Sequence, residues 1–228
     1  MCEKHLMDFF EENVTSKESR GSLASHAYNQ LLYKIVSLQF QPGEHLQERL
    51  LGEQLEMSRT PIREALKRLN QENWVKLSSN GIIVKEVDAA VIQEVCEVRE
   101  ILEVRGVDHI IDNDEAHSNF VNMTLIHEVM TNNRVNDFKF ILTNQRFHAY
   151  LSTVRPNRML HDLWRRNSLE NFRLGQLALA TAEDRKSRAT DEHKDIIDAL
   201  IQRNGDLARC NLIKHLRIIR DRLLTTLA

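Results

Sequence analysis

Only three cysteines occur in the 228 residues, Cys2, Cys96 and Cys210, and no two form a CxxC pair. Nothing here supports a disulfide framework or a thiolate zinc site, and the usage fits a reducing cytosol. No apolar run approaches the roughly 18–20 residues needed to span a bilayer. Residues 1–21 lack a basic segment followed by an apolar core, so they read as a flexible arm rather than a signal peptide. A strong charge of either sign is also missing: the formal net charge is -2, and any polyanion must be met by a local patch. None of the seven glycines builds a GxSxG elbow or a phosphate-cradling loop, and no HExxH is present, which argues against hydrolytic chemistry. From Asp88 onward only Gly106, Gly175, Gly205 and Pro156 interrupt an otherwise helical pattern.

What is present is concentrated first in residues 47–70, QERLLGEQLEMSRTPIREALKRLN. Leu50, Leu51 and Leu55 supply an apolar stripe for a short helix, and Met57 and Ser58 form a turn with Ser58 as the N-cap. Pro61 falls in the first turn of a second helix, where a missing N–H costs little. Ile62, Leu66 and Leu69 recur at helical spacing and face inward, leaving Arg59, Thr60, Arg63 and Lys67 outward. Four basic residues, Arg59, Arg63, Lys67 and Arg68, stand against one Glu between Ser58 and Asn70. This pattern predicts a helix-turn-helix whose second helix offers guanidinium groups and a hydroxyl to DNA. Residues 22–40 read as a preceding helix, and Trp74–Val87 as two strands joined by Ser79-Asn80-Gly81, since Asn-Gly tolerates positive φ. The module is predicted to be a winged helix over residues 22–87.

The second half reads as about six helices, near 88–111, 115–131, 135–153, 156–181, 185–204 and 206–227. Each carries one apolar stripe, and the short connections imply antiparallel neighbours, hence a helical bundle over 88–228. The fold class is therefore mainly α, a winged helix-turn-helix followed by an all-helical bundle. His193 and His215 flank the turn Arg203-Asn204-Gly205-Asp206, in which Gly205 suits the position after a helix and Asp206 an N-cap. His193 lies 11 residues before Asn204 and His215 lies 10 after Gly205, so two antiparallel helices bring the imidazoles to one height. Asn144 and His148, four apart, share a helical face. The remaining seven histidines read as structural or solvated.

SRTPIREALKRL resembles the recognition-helix signature of the GntR family of bacterial transcription regulators, and QPGEHLQE resembles that family's lead into the first helix of the motif. EVREILEVRGV resembles the opening helix of the FCD ligand-binding domain, found in the fatty-acid-regulator subgroup; together the resemblances cover about residues 22–225. They imply a metabolite-responsive regulator, most often a repressor, binding double-stranded operator DNA as a homodimer. Arg49, Ser58, Arg59, Thr60, Arg63, Lys67 and Gly81 would meet the DNA. The FCD metal motif, Asp-x3-His with two further histidines, implies His148, His193 and His215 as ligands, with Asn144 where the family usually has Asp. Three imidazoles suit zinc or nickel. Asn is a neutral, weaker ligand, and it leaves the site one charge more positive, which gives an anionic effector a larger part. The resemblance also points Arg99 at the carboxylate of a small organic acid, although an ordinary Arg99–Glu103 helical ion pair is an equally good reading. Two alternatives are a sensor for which the metal itself is the signal and a metalloenzyme fused to a DNA-binding module.

Overall fold

The computed structural model describes residues 22–78, 81–113, 116–132, 136–180 and 184–226; the expected arm over 1–21 and the wing residues Ser79 and Asn80 lie outside them. The chain falls into two compact units, Met1–Val87 and Asp88–Ala228.

In the first unit, α1 (Leu23–Val36) starts on Ser22, whose side chain accepts from Ser25 N, and buries Ala27, Leu31, Leu32 and Ile35. It stops four residues short of the predicted end. Leu38 takes a left-handed φ of 59°, and the chain folds back so that Phe40 N bonds Lys34 O and Phe40 enters the core. A short strand, β1 (His45–Leu46), follows; two residues give no periodicity, and it was not foreseen. Helix α2 (Glu48–Gln54) buries Leu51 and Gly52, while Leu50 is 40% exposed, because seven residues present only a narrow inward face. Helix α3 (Arg59–Gln71) buries Ile62, Ala65, Leu66 and Leu69 as expected. Strands β2 (Val75–Ser78) and β3 (Gly81–Val84) pair antiparallel, with Ser78 opposite Gly81, so Gly81 opens β3 instead of lying in the loop. Its φ of 118° explains the glycine. The sheet order is β1-β3-β2.

In the second unit, six helices follow: α4 (Ala89–Asp112), α5 (Ala116–Thr131), α6 (Asp137–Thr153), α7 (Arg158–Ala180), α8 (Arg185–Ile201) and α9 (Gly205–Thr226). Asp88 caps α4 by accepting from Val91 N, and Asn136 caps α6 by accepting from Lys139 N. The α8–α9 turn differs from the reading above. Arg203, at φ 55°, is the left-handed residue, with its N–H on Leu200 O and that of Asn204 on Ala199 O. Asn204, not Asp206, caps α9 through Leu207 N, and Gly205 already belongs to the helix. The core joins Val107 and Ile110 of α4 and Phe147 and Leu151 of α6 to Ile196, Leu200, Leu212 and Leu216 of α8 and α9.

Not every neighbour is antiparallel. Helices α4 and α6 run parallel: Glu103 meets His148, and one turn further along both helices Gly106 meets Leu151. A Cβ on Gly106 would lie 1.7 Å from Leu151 O, so only glycine permits this approach.

Candidate functional site

The α4–α6 approach, together with the α8–α9 hairpin, delivers three imidazoles to one point in the helical unit. His148, His193 and His215 are all buried, and one ring nitrogen from each lies within 4.8 Å of the others. His148 Nε2 and His193 Nε2 each stand 3.3 Å from His215 Nε2. Two of the three rings are held from behind. Glu103 Oε2 lies 2.7 Å from His148 Nδ1, and Glu192 Oε2 lies 2.6 Å from His215 Nδ1. A carboxylate only accepts, so both Nδ1 atoms carry hydrogen and both Nε2 atoms of the neutral rings present lone pairs. Facing lone pairs between His148 and His215 cannot hydrogen-bond each other; a cation between them resolves the conflict. Bonds of about 2.0–2.1 Å to a tetrahedral ion set neighbouring nitrogens roughly 3.3–3.4 Å apart, which the two separations at His215 match, and three imidazoles are a donor set that zinc accepts. His193 is fixed differently: its ring stacks on Phe147 at 4.1 Å and 12°, and its Nδ1 has no hydrogen-bond partner among the described residues.

The carboxylates are themselves steered by buried arginines. Arg99 Nε donates to Glu103 Oε1 at 2.9 Å, and Arg185 grips both oxygens of Glu192 at 3.1 Å. Burial lowers the pKa of all three histidines below 6.5, His148 and His193 well below it, with the nearby arginines pushing the same way. Neutral imidazole, the form that ligates metal, is therefore the resident form at neutral pH. Burial raises Glu103, against the pull of Arg99. For Glu192 burial also raises the pKa, but hydrogen bonds from His215 and Arg185 outweigh it and bring the group to about 2.

Beside the triad lies a small cavity of about 30 Å³, lined by Arg99, Asn144, Gln145, Asn171 and Arg185 among others. Asn171 Nδ2 donates to Gln145 Oε1 at 2.9 Å. Arg99 forms the ion pair with Glu103, and it also lines the cavity, its Nη2 without a hydrogen-bond partner among the described residues. Asn144 sits on the cavity wall one turn before His148. Glu192 and Arg185 were missed by sequence reasoning, and Glu103 was read as an ion-pair partner of Arg99 but not as the support of His148. For Glu103 the available signal was a charge inside an apolar stripe, since Arg99 and Glu103 fall in line with Val95, Cys96, Leu102 and Gly106 on the buried face of α4.

In the first unit, Arg59, Arg63 and Lys67 form an exposed stripe at four-residue spacing along α3, with Ser58 and Thr60 exposed at its start. Arg63 is held by Glu48 at 2.9 Å and Arg49 by Glu53 at 2.6 Å, both pairs largely open to solvent. Arg68 does not join the stripe. Its guanidinium lies 3.7 Å over the Tyr28 ring and bonds Glu72, which also accepts from the Tyr28 hydroxyl. Ser58 occupies the N-cap position but makes no capping bond. The N–H it would reach at the third helical position is missing, because that residue is Pro61.

A winged helix carrying a basic stripe, followed by an all-helical unit, defines a DNA-binding regulatory protein. Residues 23–83 match the model of bacterial regulatory proteins of the gntR family, and residues 94–218 match the FCD domain. The chain belongs to the GntR family and carries an FCD domain. It is 30% identical over 192 residues to the HTH-type transcriptional regulator YdhC of Bacillus subtilis (strain 168), covering 82% of this chain and 85% of that one. The gluconate operon transcriptional repressor of the same organism is 30% identical over 96 residues, 42% of this chain and 40% of its own. A GntR transcriptional regulator from Rhodococcus sp. RHA1 shares the fold with a TM-score of 0.73 at 20% identity, over 89% of this chain and 97% of that one. McbR/YncC of E. coli does so at 0.66 and 21%, over 86% and 94%. These relatives are transcriptional regulators, not enzymes, and the metalloenzyme alternative is set aside. Among the described residues no helix is long and apolar enough to cross a membrane.

Proposed function

We propose that this protein is a cytoplasmic repressor whose operator affinity is set by a small carboxylate bound beside a divalent metal in the helical unit. The observation that carries the reading is the meeting of three buried imidazole Nε2 atoms next to a cavity lined by Arg99, whose Nη2 has no hydrogen-bond partner among the described residues. His148, His193 and His215 would hold zinc or nickel, zinc being favoured by the 3.3 Å spacing, with Asn144 as a weak fourth oxygen. The metal would supply a fixed positive charge for the effector, and Arg99 a planar fork for its carboxylate. The cavity of about 30 Å³ has room for roughly two waters. An effector therefore binds only when the lining side chains give way, and that difference in affinity between two states is what lets a ligand shift an equilibrium.

On the DNA side, a homodimer would place the two α3 helices in successive major grooves, about 34–36 Å apart on a pseudo-palindromic operator. Arg59 and Arg63 would reach bases or phosphates. Arg49, Lys67, Ser58, Thr60 and Gly81 would meet the backbone or the edge of the minor groove.

Metal analysis of the purified protein tests the reading, alongside His193→Ala. About one divalent ion per chain is expected, lost in the variant, and operator affinity in a gel-shift titration should change with a member of a carboxylate panel that includes gluconate. Absence of metal after reconstitution with zinc or nickel would refute the metal site. Metal that alone switches operator affinity, with no carboxylate effect, would favour the metal-sensor alternative.

A further inference from the structure

Two chains of hydrogen bonds run from the cavity to the triad: Arg99 to Glu103 to His148, and Arg185 to Glu192 to His215. Both arginines line the cavity and both are buried. Both carboxylates bind an arginine on one side and an imidazole Nδ1 on the other. We propose that Glu103 and Glu192 are positioning residues for the metal, and that through Arg99 and Arg185 they couple metal affinity to an anion in the cavity.

The chemistry runs as follows. An Arg-bound carboxylate shares its negative charge between guanidinium and imidazole. An anion that takes up a guanidinium N–H withdraws part of that pull. The carboxylate then accepts more strongly from Nδ1–H, and Nε2 becomes the better donor to a metal. Arg99 Nη2, buried and without a hydrogen-bond partner among the described residues, is the atom placed to receive the anion first. By linkage the metal raises anion affinity by the same factor. His193 stands outside both chains, held by stacking on Phe147. Its contribution to the metal does not answer to the anion.

This inference rests on the metal-and-carboxylate reading above, and the experiment separates the two. Zinc affinity is measured on the full chain by competition with a chromophoric chelator, with and without acetate, for wild type, Glu192→Gln and Glu103→Gln. Each variant is expected to bind zinc roughly 10–100-fold more weakly. Acetate should tighten zinc binding to wild type by about fivefold or more, and this gain should shrink in each variant, because each substitution breaks one of the two chains. In zinc-free protein, ¹⁵N imidazole shifts should report the Nδ1–H tautomer at His215, lost in Glu192→Gln, while His148 is unchanged; a merely structural glutamate would not move this signal. Glu103 is fully buried, so Glu192, which is 20% exposed, carries the test if Glu103→Gln does not fold. Zinc affinity within twofold of wild type in the variants, or an acetate gain of equal size in all proteins, would overturn the coupling and leave the metal site standing. A wild type that binds neither zinc nor nickel would overturn both.

Discussion

Ser58 shows how one missing hydrogen changes the use of a residue. Serine at an N-cap ordinarily accepts from the second or third helical N–H, and its loss costs about 1 kcal/mol. Here the third position is Pro61, no acidic residue sits in the first turn, and Ser58 makes no capping bond. The amides that open α3 and the Ser58 hydroxyl are left for an anion, and a helix start favours phosphate. Ser58→Ala is therefore expected to leave the melting temperature of the protein within about 1 °C, corresponding to a change under roughly 0.5 kcal/mol. It should weaken operator binding several-fold. A marked fall in stability with unchanged DNA binding would assign Ser58 to capping. At this scale the outward arginines were legible from helical spacing, and the histidines from the equal heights of His193 and His215 about their turn together with the family resemblance that added His148. Arg68 was not, because its fate depends on Tyr28 and Glu72, which lie elsewhere in sequence. Glu103 stood out only as a charge within an apolar stripe, and Glu192 is one of 33 acidic residues that tertiary pairing alone singles out.

Among the elements, helix spans were readable to within a few residues wherever an apolar stripe ran for several turns. Helix ends were less so. The left-handed residues that close α1, α2, α3 and α8 are Leu38, Glu56, Asn73 and Arg203, none of them glycine. With seven glycines in the chain, the usual punctuation is absent, and an ending carried by Leu or Arg leaves no mark in the sequence. Two glycines mark close approaches, Gly52 to Met57 O and Gly106 to Leu151 O, and Gly106 is the one that builds the site. It lets α4 reach α6, which in turn brings Glu103 to His148. Gly106→Ala should cost roughly 3 kcal/mol, the upper end of overpacking penalties, because a helix backbone must move to clear Leu151 O. Metal affinity should fall with it. Gly175 in α7 is the control: its Cβ would meet Ile141 at 3.5 Å, ordinary contact, so Gly175→Ala should be neutral or stabilise by about 0.5–1 kcal/mol through helix propensity. Chemical denaturation of the two variants tests this, and equal effects would remove the special role given to the α4–α6 crossing.

For the whole molecule, the decisive quantity is charge. With a formal net charge of -2, the chain as a whole repels DNA slightly, and attraction has to come from the stripe on α3. Part of that stripe is already engaged, since Arg63 must leave Glu48 before it can serve a phosphate or a base. Binding is thus an exchange of partners, and its salt dependence counts the contacts that result: log affinity falls with log salt by about 0.9 for each phosphate neutralised. Lys67, exposed at the far end of the stripe, is proposed to meet phosphate alone. Lys67→Ala should weaken binding to all sequences alike and flatten the salt slope by roughly one unit per subunit, two for a dimer on its operator. Arg63→Ala should instead weaken operator binding far more than binding to unrelated DNA if it reads a base, by about 1–3 kcal/mol. Fluorescence anisotropy titrations at several salt concentrations, on operator and on scrambled duplex, separate these cases. An unchanged slope for Lys67→Ala would remove that residue from the interface. A slope change of one unit, rather than two, would mean that a single subunit carries the contact.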